Sequence, residues 1–137
     1  MFPNLTKDNY KITSPDTKDY NCIAWAYGIN NKTMWPGYLD RYWPADCEST
    51  DELSTIIQLY LNDGYIRCEN SDLEYGYQKV AIYATSEGPK HAARQLPSGK
   101  WTSKIGQRED IQHDDLQALD GQEYGKPVIF LKKALIR

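Results

Sequence analysis

Cysteine is scarce in this chain of 137 residues, and Cys22, Cys47 and Cys68 make an odd set with no C-x-x-C pair. That excludes a disulfide scaffold and a thiolate zinc site and points to a reduced environment. Basic clusters are missing too. No run of Lys or Arg exceeds the pair Lys132-Lys133 and the net charge is −3, so no nucleic-acid partner is expected. No apolar run approaches the length of a membrane span. The opening Met1-Phe2-Pro3-Asn4-Leu5 lacks a basic start followed by an apolar stretch, so it does not read as a secretory signal. A cytoplasmic location is the expectation, with signal-independent export left open. His91 and His113 are the two histidines, and neither stands at ligand spacing with a carboxylate. No metal and no cofactor are expected. Internal repeats and low-complexity segments are absent.

Aromatic residues, in contrast, are abundant: four Trp and eleven Tyr. Their rings bury large areas, and the Tyr hydroxyl keeps a polar tip suited to a cleft wall. The length fits a single domain over residues 1–137 with an ordinary core, preceded by an extended arm over 1–19 that is punctuated by Pro3 and Pro15. A short helix is predicted from Cys22 to Tyr27, capped by Asn21 and closed by Gly28. The stretch from Ile29 to Cys47 carries two Trp-Pro pairs, which disfavour helix at Trp35 and Trp43. It reads as a long ordered loop, either stapled to the core by its aromatics or serving as a substrate wall.

A second helix is the clearest element. Ser49 and Glu52 fit a capping box, and Leu53, Ile56, Ile57, Tyr60 and Leu61 recur at helical spacing before Asn62-Asp63-Gly64. Beyond it the pattern turns to strands. Residues 65–69 alternate, 78–84 form a mostly buried strand, and 90–96 and 100–105 pair back as a meander. Asp110 to Leu119 is predicted as a short polar helix and 127–131 as a last strand. The expected class is α+β, with N-terminal helices packed on an antiparallel sheet.

Cys22 is the candidate nucleophile. A thiol at a helix N-terminus gains acidity from the local positive potential, and a nearby imidazolium adds to it. With Asn21 as cap, the backbone N–H of Cys22 is free to meet a developing oxyanion. His91 is the candidate base, at the start of a strand whose neighbours Ala92 and Ala93 are small. His113 lies in an acidic stretch and reads as a solvated or capping residue. Cys47 is a backup thiol and Cys68 a strand residue. The competing reading of Cys22 is a small buried hydrophobe.

A third group usually orients the imidazole. A two-residue loop at Ser98-Gly99 pairs Gln95 with Thr102 and Ala93 with Lys104. It thereby groups His91, Ala93, Gln95, Thr102 and Lys104 on one face and sends Ser103 to the other with Arg94 and Trp101. A one-residue shift reverses that grouping. Gln95, Thr102, Lys104 and, from the following loop, Asp110 are the candidates. Trp25, Trp35, Tyr38 and Trp43 are the candidate substrate wall.

The blocks Tyr20-Asn21-Cys22-Ile23-Ala24-Trp25-Ala26, Lys79-Val80-Ala81-Ile82-Tyr83-Ala84, His91-Ala92-Ala93-Arg94-Gln95 and Trp101-Thr102-Ser103-Lys104-Ile105-Gly106 resemble an uncharacterised bacterial domain family. More distantly, the order of cysteine helix and then histidine strand is similar to permuted papain-like hydrolases of the cysteine, histidine-dependent amidohydrolase/peptidase type. That resemblance implies a papain-like fold, Cys22 as nucleophile and His91 as base. The chain departs from it in the third polar residue and in lacking an aspartate before Cys22. The expected activity is a thiol hydrolase, deamidase or acyltransferase acting on a peptide, protein or cell-wall amide, or on a thioester, in the setting of the cell wall or of a toxin or effector. The alternative is a non-catalytic protein-binding module that uses the aromatic loop 34–43.

Overall fold

The computed structural model describes residues 2–36, 43–44, 52–105 and 108–135. Its elements run β1 (Tyr10–Ile12), α1 (Cys22–Tyr27), α2 (Leu53–Asn62), β2 (Ile66–Cys68), β3 (Tyr77–Thr85), β4 (Gly88–Gln95), β5 (Trp101–Lys104), β6 (Asp110–His113), a 3-10 turn (Leu116–Leu119) and β7 (Lys126–Ala134). The strands form one seven-stranded sheet in the order β1-β6-β5-β4-β3-β7-β2, with every pairing antiparallel. This corrects the papain-like α+β expectation. The described residues are mostly sheet, and the two helices among them have only six and ten residues.

The local chemistry of α1 is as expected. Asn21 has extended backbone, its side chain accepts from Ala24 N, and Gly28 closes the helix at φ 103°. Asn21 also ties down the following loop: its Oδ1 accepts from Met34 N at 3.1 Å and its Nδ2 donates to Met34 O at 2.7 Å. Helix α2 buries Ile56, Ile57 and Tyr60, and the Tyr60 hydroxyl donates to Ile23 O of α1 at 2.9 Å. The capping box is not formed as expected. Glu52 is itself the N-cap and makes no side-chain cap bond, and Ser49 lies outside the described residues.

Residues 110–119 are the second correction. Asp110 to His113 pair with β5 and Ile111 to His113 also with β1, and only Leu116–Leu119 turn, with the Asp115 side chain accepting from Ala118 N. Strand neighbours on both sides supply ladder partners, and that overrides a weak helical pattern. The expected arm contributes β1, which the sequence pattern did not show.

Two apolar clusters sandwich the sheet. Helices α1 and α2 pack with Val80, Ile82, Ala92 and Leu131. On the opposite face Ala81, Tyr83, Ala93, Trp101 and Ile111 pack with Leu116 and Leu119, and Phe2, Leu5 and Tyr124 cover them. Strand β3 is therefore apolar at successive positions because both of its faces are interior.

Candidate functional site

The register of one hairpin decides the site. Leu96 N bonds Lys100 O at 2.7 Å and Gly99 N bonds Leu96 O at 2.9 Å, with Gly99 at φ +92°. The loop is thus Pro97-Ser98-Gly99, a three-residue connection closed by a left-handed glycine. Arg94 pairs with Thr102 and Gln95 with Trp101. The expected two-residue loop is off by one position, and the faces reverse.

Cys22 and His91 lie on opposite faces of the sheet, because α1 covers the face of β4 that carries Ala92 and not the one that carries His91. Cys22 packs in the helix-side cluster with Ile82 and Ala92. His91 is fully buried on the other face, stacked on Tyr124 at 4.1 Å and edge-on to Tyr83 at 5.3 Å. Burial pushes the Cys22 thiol up to about 11, against a smaller opposing pull from the backbone groups of Ala92, Ile23 and Cys22 itself and from Lys104. A six-residue helix and one lysine do not offset desolvation of the thiolate.

The third-group candidates also divide. Thr102 Oγ1 accepts from Trp25 Nε1 at 3.0 Å. Lys104 is buried, donates to Thr17 O at 2.8 Å and to Arg108 O, and lies over the Tyr20 ring at 5.2 Å. Asp110 Oδ2 accepts from the Tyr20 hydroxyl at 2.6 Å. These three stand on the side of Cys22, whereas Gln95 lies on the side of His91 and donates from Nε2 to Ser71 O at 2.9 Å. Trp25 carries Arg94 over its ring at 5.0 Å, and Trp35 and Trp43 pack half-buried against the helix-side core. Tyr38 and Cys47 lie outside the described residues. Among the described residues, no group of three or more His, Cys, Asp or Glu is placed to hold a metal.

His91 has a partner set the sequence did not reveal. Its Nε2 lies 2.9 Å from Ser103 Oγ, which lies 2.8 Å from His113 Nε2, and His113 Nδ1 lies 2.8 Å from Asp115 O. The proton order follows from the end of the chain. A carbonyl only accepts, so His113 carries its proton on Nδ1 and accepts from the Ser103 hydroxyl at Nε2. Ser103 then accepts from His91 Nε2–H. His91 Nδ1 is left as a lone pair, and it is buried with no partner among the described residues. Both rings are neutral: burial, with His113 beside it, holds His91 well below the usual histidine range, and burial lowers His113. All three side chains are closed to solvent. The row reads as a polar brace of the second core; Ser103 was missed because the register was misread, and His113, expected as a solvated or capping residue of a helix, is instead buried on strand β6.

The surface feature that stands out is elsewhere. A cavity of about 490 Å³ opens at one end of the sheet, between residues 73–78, the β4–β5 turn and Leu135. Leu73, Tyr75 and Leu135 are exposed there, Tyr75 at 92 %. Its frame is tied by Leu135 N to Gly76 O at 2.8 Å and Tyr77 N to Glu74 O at 3.1 Å.

Residues 11–132 match the family model described as a domain of unknown function, DUF7689. The chain belongs to that family. No curated protein and no solved structure matches this DUF7689 chain. No helix among its described residues is long and apolar enough to cross a membrane.

Proposed function

We propose that this DUF7689 domain is a non-catalytic binding module. The carrying observation is the preformed, mainly apolar cavity of about 490 Å³ at the end of the sheet, which falls within the size range of ligand sites. Supporting it is the division of the expected reactive pair between two faces, with a thiol that burial keeps protonated. A hydrolase needs sulfur and imidazole within hydrogen-bond reach of one another.

Iodoacetamide labelling tests the non-catalytic part of this reading. With Cys47 and Cys68 replaced by Ser, Cys22 is the reporting thiol. At pH 7.5 its thiolate fraction is smaller than that of a free cysteine by roughly two to three orders of magnitude. Labelling is expected to be slower by that factor, to be unchanged by His91→Ala and to become fast in denaturant. Rapid labelling of the folded protein that slows in His91→Ala would restore the thiol-enzyme reading.

A further inference from the structure

We infer that the N-terminal arm is an acid-released strap: residues 2–13 close the second apolar cluster while His91 and His113 are neutral, and protonation of the two rings detaches it. The arm meets both ends of the His91–Ser103–His113 row. At one end Phe2 packs on Tyr124 at 5.1 Å, and the Tyr124 ring is stacked on His91 at 4.1 Å with 4° between the planes. At the other end Tyr10 of β1 is the ladder partner of His113. Thr13 N donates to Asp110 O at 2.8 Å and Asp114 N donates to Asn9 O at 2.9 Å, which seats β1 along β6.

The row has no place for an added proton. One hydrogen already fills each gap, from His91 to Ser103, from Ser103 to His113 and from His113 to Asp115 O. A second proton on His91 goes to Nδ1, which is buried with no acceptor among the described residues. A second proton on His113 goes to Nε2, where it meets Ser103 Oγ and turns the hydroxyl hydrogen out of its bond. Either uptake leaves a buried donor unpaired and a charge in a closed apolar cluster, and both are relieved when water reaches the rings.

The groups around the row do not take up that charge. Tyr83 of β3 and Tyr124 face His91, and the Tyr83 hydroxyl is committed to Leu116 O, with Asp120 on its far side. Asp114 and Asp115 favour a charged His113, but Asp114 is paired with Lys100 at 3.4 Å and the Asp115 side chain accepts from Ala118 N. Burial outweighs both carboxylates. The arm's own Lys7, Asp8 and Lys11 are exposed to solvent. The arm is also the part that gives. Strand β1 has three residues at the sheet margin, Lys11 and Ile12 of them exposed, whereas β3 is held between β4 and β7. Margins of that kind open locally at far lower cost than a central strand.

Amide hydrogen exchange on the full chain at pH 7.5 and 5.0, corrected for the intrinsic effect of pH on the rate, tests the inference. The amides of Thr13 and Asp114 report on the arm, and those of Val80 and Ile82 in β3 report on opening of the whole molecule. Each histidine that regains water titrates near 6.5 and raises the open-to-closed ratio by up to about thirtyfold over that interval. Protection at Thr13 and Asp114 should lie below that of β3 at both pH values. It should fall by about a hundredfold to a thousandfold on acidification. His113→Gln should reduce that fall to about thirtyfold or less, whereas Phe2→Ala should lower protection equally at both pH values. Arm protection that stays flat between the two pH values overturns the inference. So does exchange of the arm amides at the same protection as β3, because the arm then opens only with the whole molecule. Both of these outcomes are read from the unaltered chain, so the test holds even where His113→Gln misfolds.

Discussion

At the residue scale, the buried row His91–Ser103–His113 carries a direct consequence for stability against pH. Both imidazoles are held neutral in the folded chain by burial and have depressed pKa values there. In the unfolded chain they titrate near 6.5. Below that pH the unfolded state binds more protons than the native state, so stability is full above about pH 6.5 and falls as pH drops toward the lower folded values. Each histidine contributes a slope of up to about 1.4 kcal/mol per pH unit in that window. Urea titrations at pH 7.5, 6 and 5 are expected to show a falling midpoint, and His113→Gln should flatten the trend. A midpoint that rises toward pH 5 would contradict the assignment of neutral rings. Cys22 contributes nothing in this range, since its thiol is protonated in both states.

At the element scale, glycines with a specific task separate from glycines that merely turn. A Cβ on Gly125 would stand 2.1 Å from Ala84 O, whereas one on Gly99 would meet only Leu73 side-chain carbons at 3.8 Å and beyond. Both have positive φ, which costs about 1–2 kcal/mol for a side chain. Gly99→Ala is expected to lose roughly that amount. Gly125→Ala must also push strand β3 away from the loop that carries Tyr124, so its loss should exceed that of Gly99→Ala by about 2 kcal/mol or more, as read by denaturant midpoint. Elements with strong local signals were legible from sequence: α1 from Asn21 and Gly28, α2 from its apolar stripe, and the β3–β4–β5 meander from its turns. The pairing register was not, because Pro97-Ser98-Gly99 and Ser98-Gly99 are both good turn sequences and differ by the one residue that exchanges faces. Strand β6 was hidden for a different reason: its four residues form a strand only because β1 and β5 flank them, and no local pattern records neighbours that far away. The candidate third groups inherited the register error, whereas Cys22 and His91 were parted by a different fact, the packing of α1 on the Ala92 face of β4, which no local pattern records.

At the scale of the whole molecule, the N-terminal arm is part of the fold. Strand β1 closes the sheet edge beside β6, Asn4 Nδ2 donates to Gln117 O at 3.1 Å, and Phe2 and Leu5 cover the cluster containing His91. Removal of residues 1–13 strips that cover and leaves β6 as an open edge, which invites pairing between copies. The shortened chain is expected to lose roughly 3 kcal/mol or more from uncovered apolar area and to elute from a sizing column as larger species. An unchanged midpoint and a monomeric profile would show that the arm is dispensable.

Strand β7, the last to be synthesised, is seated between β3 and β2 rather than at a margin of the sheet. A nascent chain emerging from the ribosome therefore holds a gap where that strand belongs until Ala134 clears the exit tunnel. Until then β2 has no partner, the open flank of β3 is a template for neighbouring polypeptides, and chaperone demand should persist until β7 is seated.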